Sequence, residues 1–330
     1  MGLSGVQPVY RDFNDASSLD ASAIASLACD VSFISDASTP DETMVARQVE
    51  RLKNPKFTAL WWDIFDRLRS DELVPHRARV MTHVHDALRD ASIEIDDNWL
   101  DAIFRFFDQL NEAMFQQQTI DWLADSTIKL YLYGAGWESH PTLSRFARGQ
   151  VDSESMRIAV ARASRINLAA GVYGALSPHV TEVIGAGGFA MMRFTPVDLL
   201  ERFYPPIWEF CGRNQIDTNA QLAERATATI RNLLDFAGRT IGVHPLHAWA
   251  DFVSELRAAA ESGYTRSAAA VFANYAAVSF SSKDQLLGMV ERYLYDGPQR
   301  QRLADEMGRE VRARFDHVQV NRPARATVAA

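Results

Sequence analysis

Five short, largely apolar stretches of the chain are bounded by glycine, proline or small polar residues, and the first of them, at 29–35, is a β-branched and aromatic run. This pattern is typical of buried strands that end at turns. Stretches with helical spacing separate them, and strands that alternate with helices form a parallel sheet. We therefore predict an α/β fold with a Rossmann-like parallel sheet, whose strands lie near residues 30–34, 128–133, 165–169, 189–193 and 277–280.

Residues 41–125 have a different pattern, in which apolar residues recur at helical spacing with almost no glycine. The run Phe57, Leu60, Trp61, Ile64 and Phe65 is one example. We predict a large helical insertion at 41–125, directly after the first strand. C-terminal helices are predicted over 283–315. The α/β domain is expected to span 29–330, with residues 1–28 as a linker or lead-in.

Composition narrows the choice of function. The chain has 330 residues, of which 47% are hydrophobic and 23% charged, and its formal net charge is −8. This acidic balance argues against nucleic acid and anionic membranes as general partners. No apolar run approaches the ~18 residues of a membrane span, and no signal peptide is recognised at the start. Cys29 and Cys211 lie among apolar residues, as expected of buried thiols in a cytoplasmic protein.

Two glycine-rich stretches are candidate ligand loops. Gly134 and Gly136 follow a predicted strand, but Gly-Ala-Gly-Trp-Glu lacks the full GxGxxG fingerprint, so a plain strand-to-loop turn explains it better than a phosphate loop. Glu182 precedes Gly185, Gly187 and Gly188. Its carboxylate could accept hydrogen bonds from ribose hydroxyls while the glycines admit a diphosphate. A glycine C-cap with a solvated Glu182 is the alternative.

Other chemistry has little support in the sequence. His83 and His85 point apart on a helix, and His244 and His247 flank Pro245 without an evident carboxylate partner, so we expect no metal site. The chain carries no GxSxG, HExxH, Walker or CxxC motif, which leaves hydrolase, zinc-protease and P-loop functions unsupported. The incomplete GxGxxG also argues against a nicotinamide cofactor.

The order of the motifs resembles the C-terminal, donor-binding half of the CgeB-like (spore-maturation-type) glycosyltransferases, which have the GT-B fold. The resemblance covers roughly 29–195 and 275–315. It is carried by Asp-Val-Ser-Phe-Ile from residue 30, Leu-Tyr-Gly-Ala-Gly-Trp-Glu from 132, Ala-Ser-Arg-Ile-Asn-Leu from 163, His-Val-Thr-Glu-Val-Ile-Gly-Ala-Gly-Gly-Phe from 179, and Val-Ser-Phe from 278.

The resemblance implies a protein that transfers a hexose from a nucleotide-activated sugar, such as a UDP- or GDP-sugar, to an unknown acceptor without a metal or other cofactor. Glu182 would bind the ribose, and His179 would lie beside it. Glycines 185, 187 and 188 would admit the diphosphate. Gly134, Gly136 and Trp137 would line the nucleotide or sugar, with Asn167 at a strand end on the same side. We expect Glu182 and all five glycines to converge on one pocket.

The chain departs from the family pattern at two points. The family usually has Arg three residues before the Glu, where this chain has His179. No N-terminal Rossmann half, which normally supplies the acceptor site, is recognised. A partner chain could supply that half, or the insertion at 41–125 could contact the acceptor. The alternative function is a non-catalytic module that kept the fold and binds a nucleotide-sugar or a protein.

Overall fold

The structure is a computed structural model that describes residues 21–37, 42–71, 77–171, 177–195, 198, 204–248, 251–261 and 272–319. Its centre is a five-stranded sheet in which every strand pairs with its neighbours in parallel. The strands are β1 (Cys29–Ile34), β2 (Leu130–Tyr133), β3 (Ser164–Ala169), β4 (Ala190–Arg193) and β5 (Ser279–Phe280). The predicted α/β class, the five strands and their parallel arrangement are confirmed.

The strand order is β2-β1-β3-β4-β5. The chain moves from β1 to one side to form β2 and returns past β1 to form β3, so the direction reverses between β1 and β3. In doubly wound sheets this reversal opens a crevice at the carboxyl ends of the two strands, where ligands bind. The pairs Ser32↔Asn167 and Phe33↔Leu168 fix the register of the two strands that flank this switch point.

The strands are buried because helices cover both faces of the sheet, as in other all-parallel sheets. All four residues of β2 and of β4 are buried, and Arg165 is the exposed residue of β3. Right-handed crossovers place the connection from β1 to β2 on one face and the connections from β2 to β3 to β4 on the other. The first connection is the insertion, and the others carry α6 (Glu154–Ala163) and α7 (Pro178–Gly185).

The insertion after β1 is helical, as predicted. It comprises α2 (Glu42–Leu52), α3 (Pro55–Ser70), α4 (Arg77–Asp90) and α5 (Asp97–Ala124), and a short α1 (Ala21–Ser26) precedes β1. Side chains of Asn54 and Asp96 cap α3 and α5 by accepting from backbone N–H groups in the first turn. The helices share a core in which the Trp61 ring lies 4.7 Å from Phe106 and 5.1 Å from Phe107.

A second group of helices, between β4 and β5, was not predicted. It contains α8 (Tyr204–Arg213), α9 (Asn219–Arg225), α10 (Ala228–Ile241), α11 (Pro245–Ala248) and α12 (Phe252–Glu261), followed by α13 (Tyr275–Val278) before β5. Buried Ile207, Leu222, Leu234 and Phe252 form part of a core that is separate from the sheet core. The fold therefore has two helical clusters attached to one sheet.

The C-terminal helices are α14 (Lys283–Tyr295) and α15 (Gly297–Gln319), close to the predicted 283–315. The buried Tyr293 of α14 packs its ring 5.0 Å from Phe189, just before β4. Helix α15 contacts α7. These helices complete the sheet core from both sides. Within the described ranges, no helix combines the length and the apolar character needed to cross a bilayer.

Candidate functional site

A groove runs between α6 and α7, from Ile34 beside the switch point of the sheet to Ala186 at the end of α7. Ile34, the last residue of β1, forms part of its wall, and Val183 of α7 forms another part. The polar residues that line it are Glu154, Arg157, His179 and Glu182. Its enclosed volume is only about 10 Å³, close to the space that one water molecule needs. Small-molecule sites usually hold roughly 300–1,000 Å³, so the groove would have to widen to take a larger ligand.

Both helices begin at the carboxyl edge of the sheet, and local sequence explains where they start. The Ser153 side chain accepts from the Met156 N–H and caps α6. The Ser177 side chain accepts from the Val180 N–H and caps α7, whose first residue is Pro178. Serine caps and a first-position proline both favour helix starts. The positive ends of two helix dipoles therefore lie at this edge, which favours a negatively charged ligand.

An ion pair spans the groove. Arg157, in the first turns of α6, places its Nε 3.5 Å from Oε2 of Glu182 on α7. The two side chains remain 36% and 38% exposed. Charged hydrogen bonds in proteins are usually about 2.7–2.9 Å long, so this contact is loose. Both groups are thus accessible to a ligand that enters the groove.

His179 lies beside this pair without carrying charge at neutral pH. Burial lowers the pKa of His179 to about 4, and a hydrogen bond with the Leu168 backbone offsets only part of this effect. The ring is half-buried, between α7 and the carboxyl end of β3. His179 therefore contributes shape and a neutral hydrogen-bonding group to the groove.

The glycines at 185, 187 and 188 form the end of α7. Gly185 is the last helical residue, and Gly187 is left-handed with φ of 82°. The Gly187 N–H donates to the Ile184 carbonyl at 3.0 Å, and the Gly188 N–H donates to the Val183 carbonyl at 2.9 Å. These two bonds define a Schellman motif. The diphosphate-cradle prediction for these glycines is wrong, because their N–H groups are used by the cap and the turn leads into the amino end of β4.

Gly188 is needed for a close approach, and Asn167 is part of the same contact. A Cβ on Gly188 would lie 2.7 Å from the Ala161 carbonyl oxygen and 3.0 Å from Nδ2 of Asn167. The buried Asn167 side chain donates to the Ala161 carbonyl at 2.9 Å and accepts from the Ser32 hydroxyl at 3.0 Å. Asn167 was predicted to lie at a strand end beside the ligand. It is instead buried inside the fold, where its side-chain hydrogen bonds join β3 to β1 and to α6.

The turn after β2 is also structural. Gly134 has φ of 136°, and a Cβ there would lie 2.2 Å from the Ser35 carbonyl oxygen. The Gly134 N–H donates to the Gly149 carbonyl and the Ala135 N–H donates to the Asp36 carboxylate, so neither is available to a phosphate. Gly136 is left-handed with φ of 87° and starts the next turn.

Trp137, predicted to line the nucleotide or sugar, is only 2% exposed. Its indole N–H donates to the Ser35 carbonyl at 2.6 Å, and its ring packs edge-on against Phe33 at 6.3 Å. The side chain fastens the turn after β2 to the end of β1. It has no face on which a base or a sugar could stack.

The predicted convergence of Glu182 with all five glycines is therefore wrong. Glu182 and His179 lie in the groove, whereas the glycines hold turns at the end of β2 and before β4. The sequence interpretation missed Arg157 and Glu154. Their signal was present, because Ser153 caps a helix after a strand and thus places the first turn of α6 at the carboxyl edge.

The histidines and carboxylates do not form a metal centre in the part of the chain that the structure describes, where no group of three or more His, Cys, Asp or Glu could hold an ion. His244 does have a carboxylate partner, contrary to the prediction, because its Nε2 lies 3.6 Å from Asp235. His83 also contacts a carboxylate. Its Nε2 lies 2.8 Å from Asp71, which also pairs with Arg79 at 2.6 Å. The rings of His244 and His247 lie 5.2 Å apart.

Comparison with protein-family models, curated proteins and solved structures gives no match to this chain. Function must therefore be inferred from the groove and its chemistry.

Proposed function

We propose that this protein is glycosyltransferase-like and binds a nucleotide-activated sugar, such as a UDP- or GDP-sugar, in the groove between α6 and α7. The observation that carries the proposal is the position of Glu182, whose partly exposed carboxylate lies in a groove that reaches the switch point of a parallel sheet. Switch points are where doubly wound sheets bind nucleotides. The resemblance to CgeB-like enzymes assigns the same residue to the ribose.

The chemistry of the groove fits the ribose end of such a ligand. A carboxylate can accept hydrogen bonds from both ribose hydroxyls, and charge-assisted bonds are worth roughly 1.5–3 kcal/mol each. The two helix starts favour the phosphates that follow the ribose. Because the enclosed volume of the groove is only about 10 Å³, the ligand would lie over its mouth, and the base and the sugar would extend along the carboxyl edge of the sheet. Sugar transfer would then occur at that edge.

Calorimetric titration with UDP and GDP tests the nucleotide site. Glu182→Ala should weaken binding about ten- to a hundredfold, because ribose hydrogen bonds are lost while water and Arg157 offset part of the change. Glu209→Ala is the matched control, since Glu209 also pairs with an arginine at 3.5 Å but lies on the exposed surface of α8. Equal affinities for wild type and Glu182→Ala, or no nucleotide binding by the wild type, would refute the proposal.

The second candidate is a non-catalytic module that binds the same ligand. It is favoured by His179, which is neutral at pH 7 and stands where the CgeB-like family usually has an Arg to offset the charge of the diphosphate. The two functions differ in turnover. A transferase releases UDP or GDP from a sugar donor when acceptors or water are present, and loses that release in Glu182→Ala. A binding module shows nucleotide affinity without release.

A further inference from the structure

The groove has an unfavourable charge for the ligand proposed above. Glu154 and Glu182 provide two carboxylates, and His179 is neutral at pH 7. Arg157 is the one permanent cation among the described residues that line the groove. Two carboxylates against one guanidinium leave a net charge of about −1. This net negative charge would repel a diphosphate, which is itself anionic, unless other positive groups compensated for it.

Helix dipoles supply part of the compensation. Each helix start is equivalent to about half a positive charge, so α6 and α7 together roughly cancel the net charge of the side chains. Removing Arg157 would return the groove to a negative balance. The arginine therefore decides whether the groove is roughly neutral or repels an anion.

The geometry leaves Arg157 free to change partners. Its contact with Glu182 is 3.5 Å long, and both side chains are more than a third exposed. Ion pairs of this kind contribute little to stability in water. A phosphate could therefore replace the Glu182 carboxylate as the partner of Arg157 at little cost. The released carboxylate would at the same time become available to the ribose hydroxyls.

We infer that Arg157 is the phosphate-binding residue of this groove, and that the Arg157–Glu182 ion pair opens when a nucleoside diphosphate binds. This inference rests on the proposed function, and it adds the residue that recognises the diphosphate. Arg157 binds the phosphates, Glu182 accepts hydrogen bonds from the ribose, and His179 lines the groove as an uncharged side chain. The guanidinium has the planar set of donors that suits phosphate oxygens.

The test compares ligands with and without phosphate. Calorimetric titrations with uridine, UDP and inorganic pyrophosphate are made on wild type, Arg157→Ala and Arg157→Lys. In Arg157→Ala, affinity for UDP should fall about ten- to a hundredfold and affinity for pyrophosphate should fall as well, while affinity for uridine stays within about threefold. Arg157→Lys should retain part of the UDP affinity, because it keeps the charge but loses the planar donors.

Arg213→Ala is the matched control, since Arg213 pairs with Glu209 at the same 3.5 Å on an exposed face of α8. It should leave all three affinities unchanged. Circular dichroism and thermal melting establish that each variant is folded. Affinity of the wild type for UDP should also fall with added salt, more steeply than that of Arg157→Ala.

The outcomes separate the two proposals. If wild type binds UDP and Arg157→Ala binds it equally well, or loses uridine and UDP affinity together, the inference about Arg157 is overturned while the nucleotide site stands. If wild type binds pyrophosphate through Arg157 but binds neither uridine nor UDP better, the anion site stands and the nucleotide function fails. If wild type binds none of the three ligands, both are refuted.

Discussion

The glycines around the end of α7 should be essential for stability and not for ligand contact. Gly187→Ala places a Cβ on a residue with φ of 82°, with no other atom within 4 Å. Left-handed backbone costs a non-glycine residue about 1–2 kcal/mol. Gly188→Ala brings a Cβ to 2.7 Å from a backbone carbonyl and to 3.0 Å from both Asn167 and Val183. Overpacking of this kind costs about 1–3 kcal/mol.

Gly288→Ala is the control. Gly288 lies inside α14, and a Cβ there would meet no atom within 4 Å. Alanine is the better helix former, so this variant should be more stable than wild type by about 0.5–1 kcal/mol. Urea unfolding followed by circular dichroism measures all three variants. We expect lower transition midpoints for the two turn variants, a higher one for Gly288→Ala, and similar slopes for all.

Nucleotide titration of the same variants completes the test. Folded Gly187→Ala should bind UDP as wild type does, because the Gly187 and Gly188 N–H groups are already bonded within the cap. The reasoning would be refuted if Gly187→Ala kept wild-type stability but lost UDP affinity. That result would restore the diphosphate cradle and place the ligand at the amino end of β4.

Two further predictions concern His179 and Asn167. Burial lowers the pKa of His179 to about 4 from its usual 6.5, so the unfolded chain binds the extra proton between these values. The free energy of unfolding should therefore fall by about 1–3 kcal/mol as pH drops from 6.5 to 4, and urea titrations of His179→Gln should lack this part of the pH dependence. Asn167→Leu removes the partner of the Ser32 hydroxyl and of the Ala161 carbonyl, which should cost about 2–5 kcal/mol in urea unfolding. Adding Ser32→Ala to Asn167→Leu should then lower the free energy of unfolding by almost nothing further. A fully additive loss would contradict the contribution of the Ser32–Asn167 hydrogen bond to stability.

The strands and the insertion could be predicted because their signals are local. A run with β-branched and aromatic residues, such as Val31–Ile34, followed by small polar residues indicates a buried strand regardless of distant contacts. The insertion repeats apolar residues over long helices, of which α5 has 28 residues. Helices α8–α12 were missed although Ile230, Leu234 and Ile241 follow helical spacing in α10. Each helix there is short, at 4 to 14 residues, so each pattern has few repeats.

The predicted role of Gly185, Gly187 and Gly188 was wrong because it ignored the direction in which the chain enters the sheet. In a parallel sheet, only a segment that follows a strand lies at the carboxyl edge, and the turn at 185–188 precedes β4. The sequence order alone would have placed these glycines at the other end. The burial of Trp137 is different, because it depends on Phe33 and Ser35, about a hundred residues earlier. No local pattern reports such a contact.

The end of β1 connects the groove to the insertion. Ile34 lines the groove, whereas the hydroxyl of the next residue, Ser35, donates to the Gln116 side chain of α5 at 3.4 Å. On the same side, the Arg193 guanidinium at the end of β4 lies over the rings of Phe115 and Trp122 and donates to the Phe115 carbonyl at 2.7 Å.

Helix α5 is thus fixed to the carboxyl ends of two strands, and it is held there by main-chain contacts as well as by rings. An acceptor carried by the insertion would have to approach Glu182 across the end of β1, because the sheet separates the two faces elsewhere. The length of α5 favours this route. At about 1.5 Å per residue its 28 residues span roughly 42 Å, far more than the six residues of β1, so the helix extends beyond the edge where the groove opens.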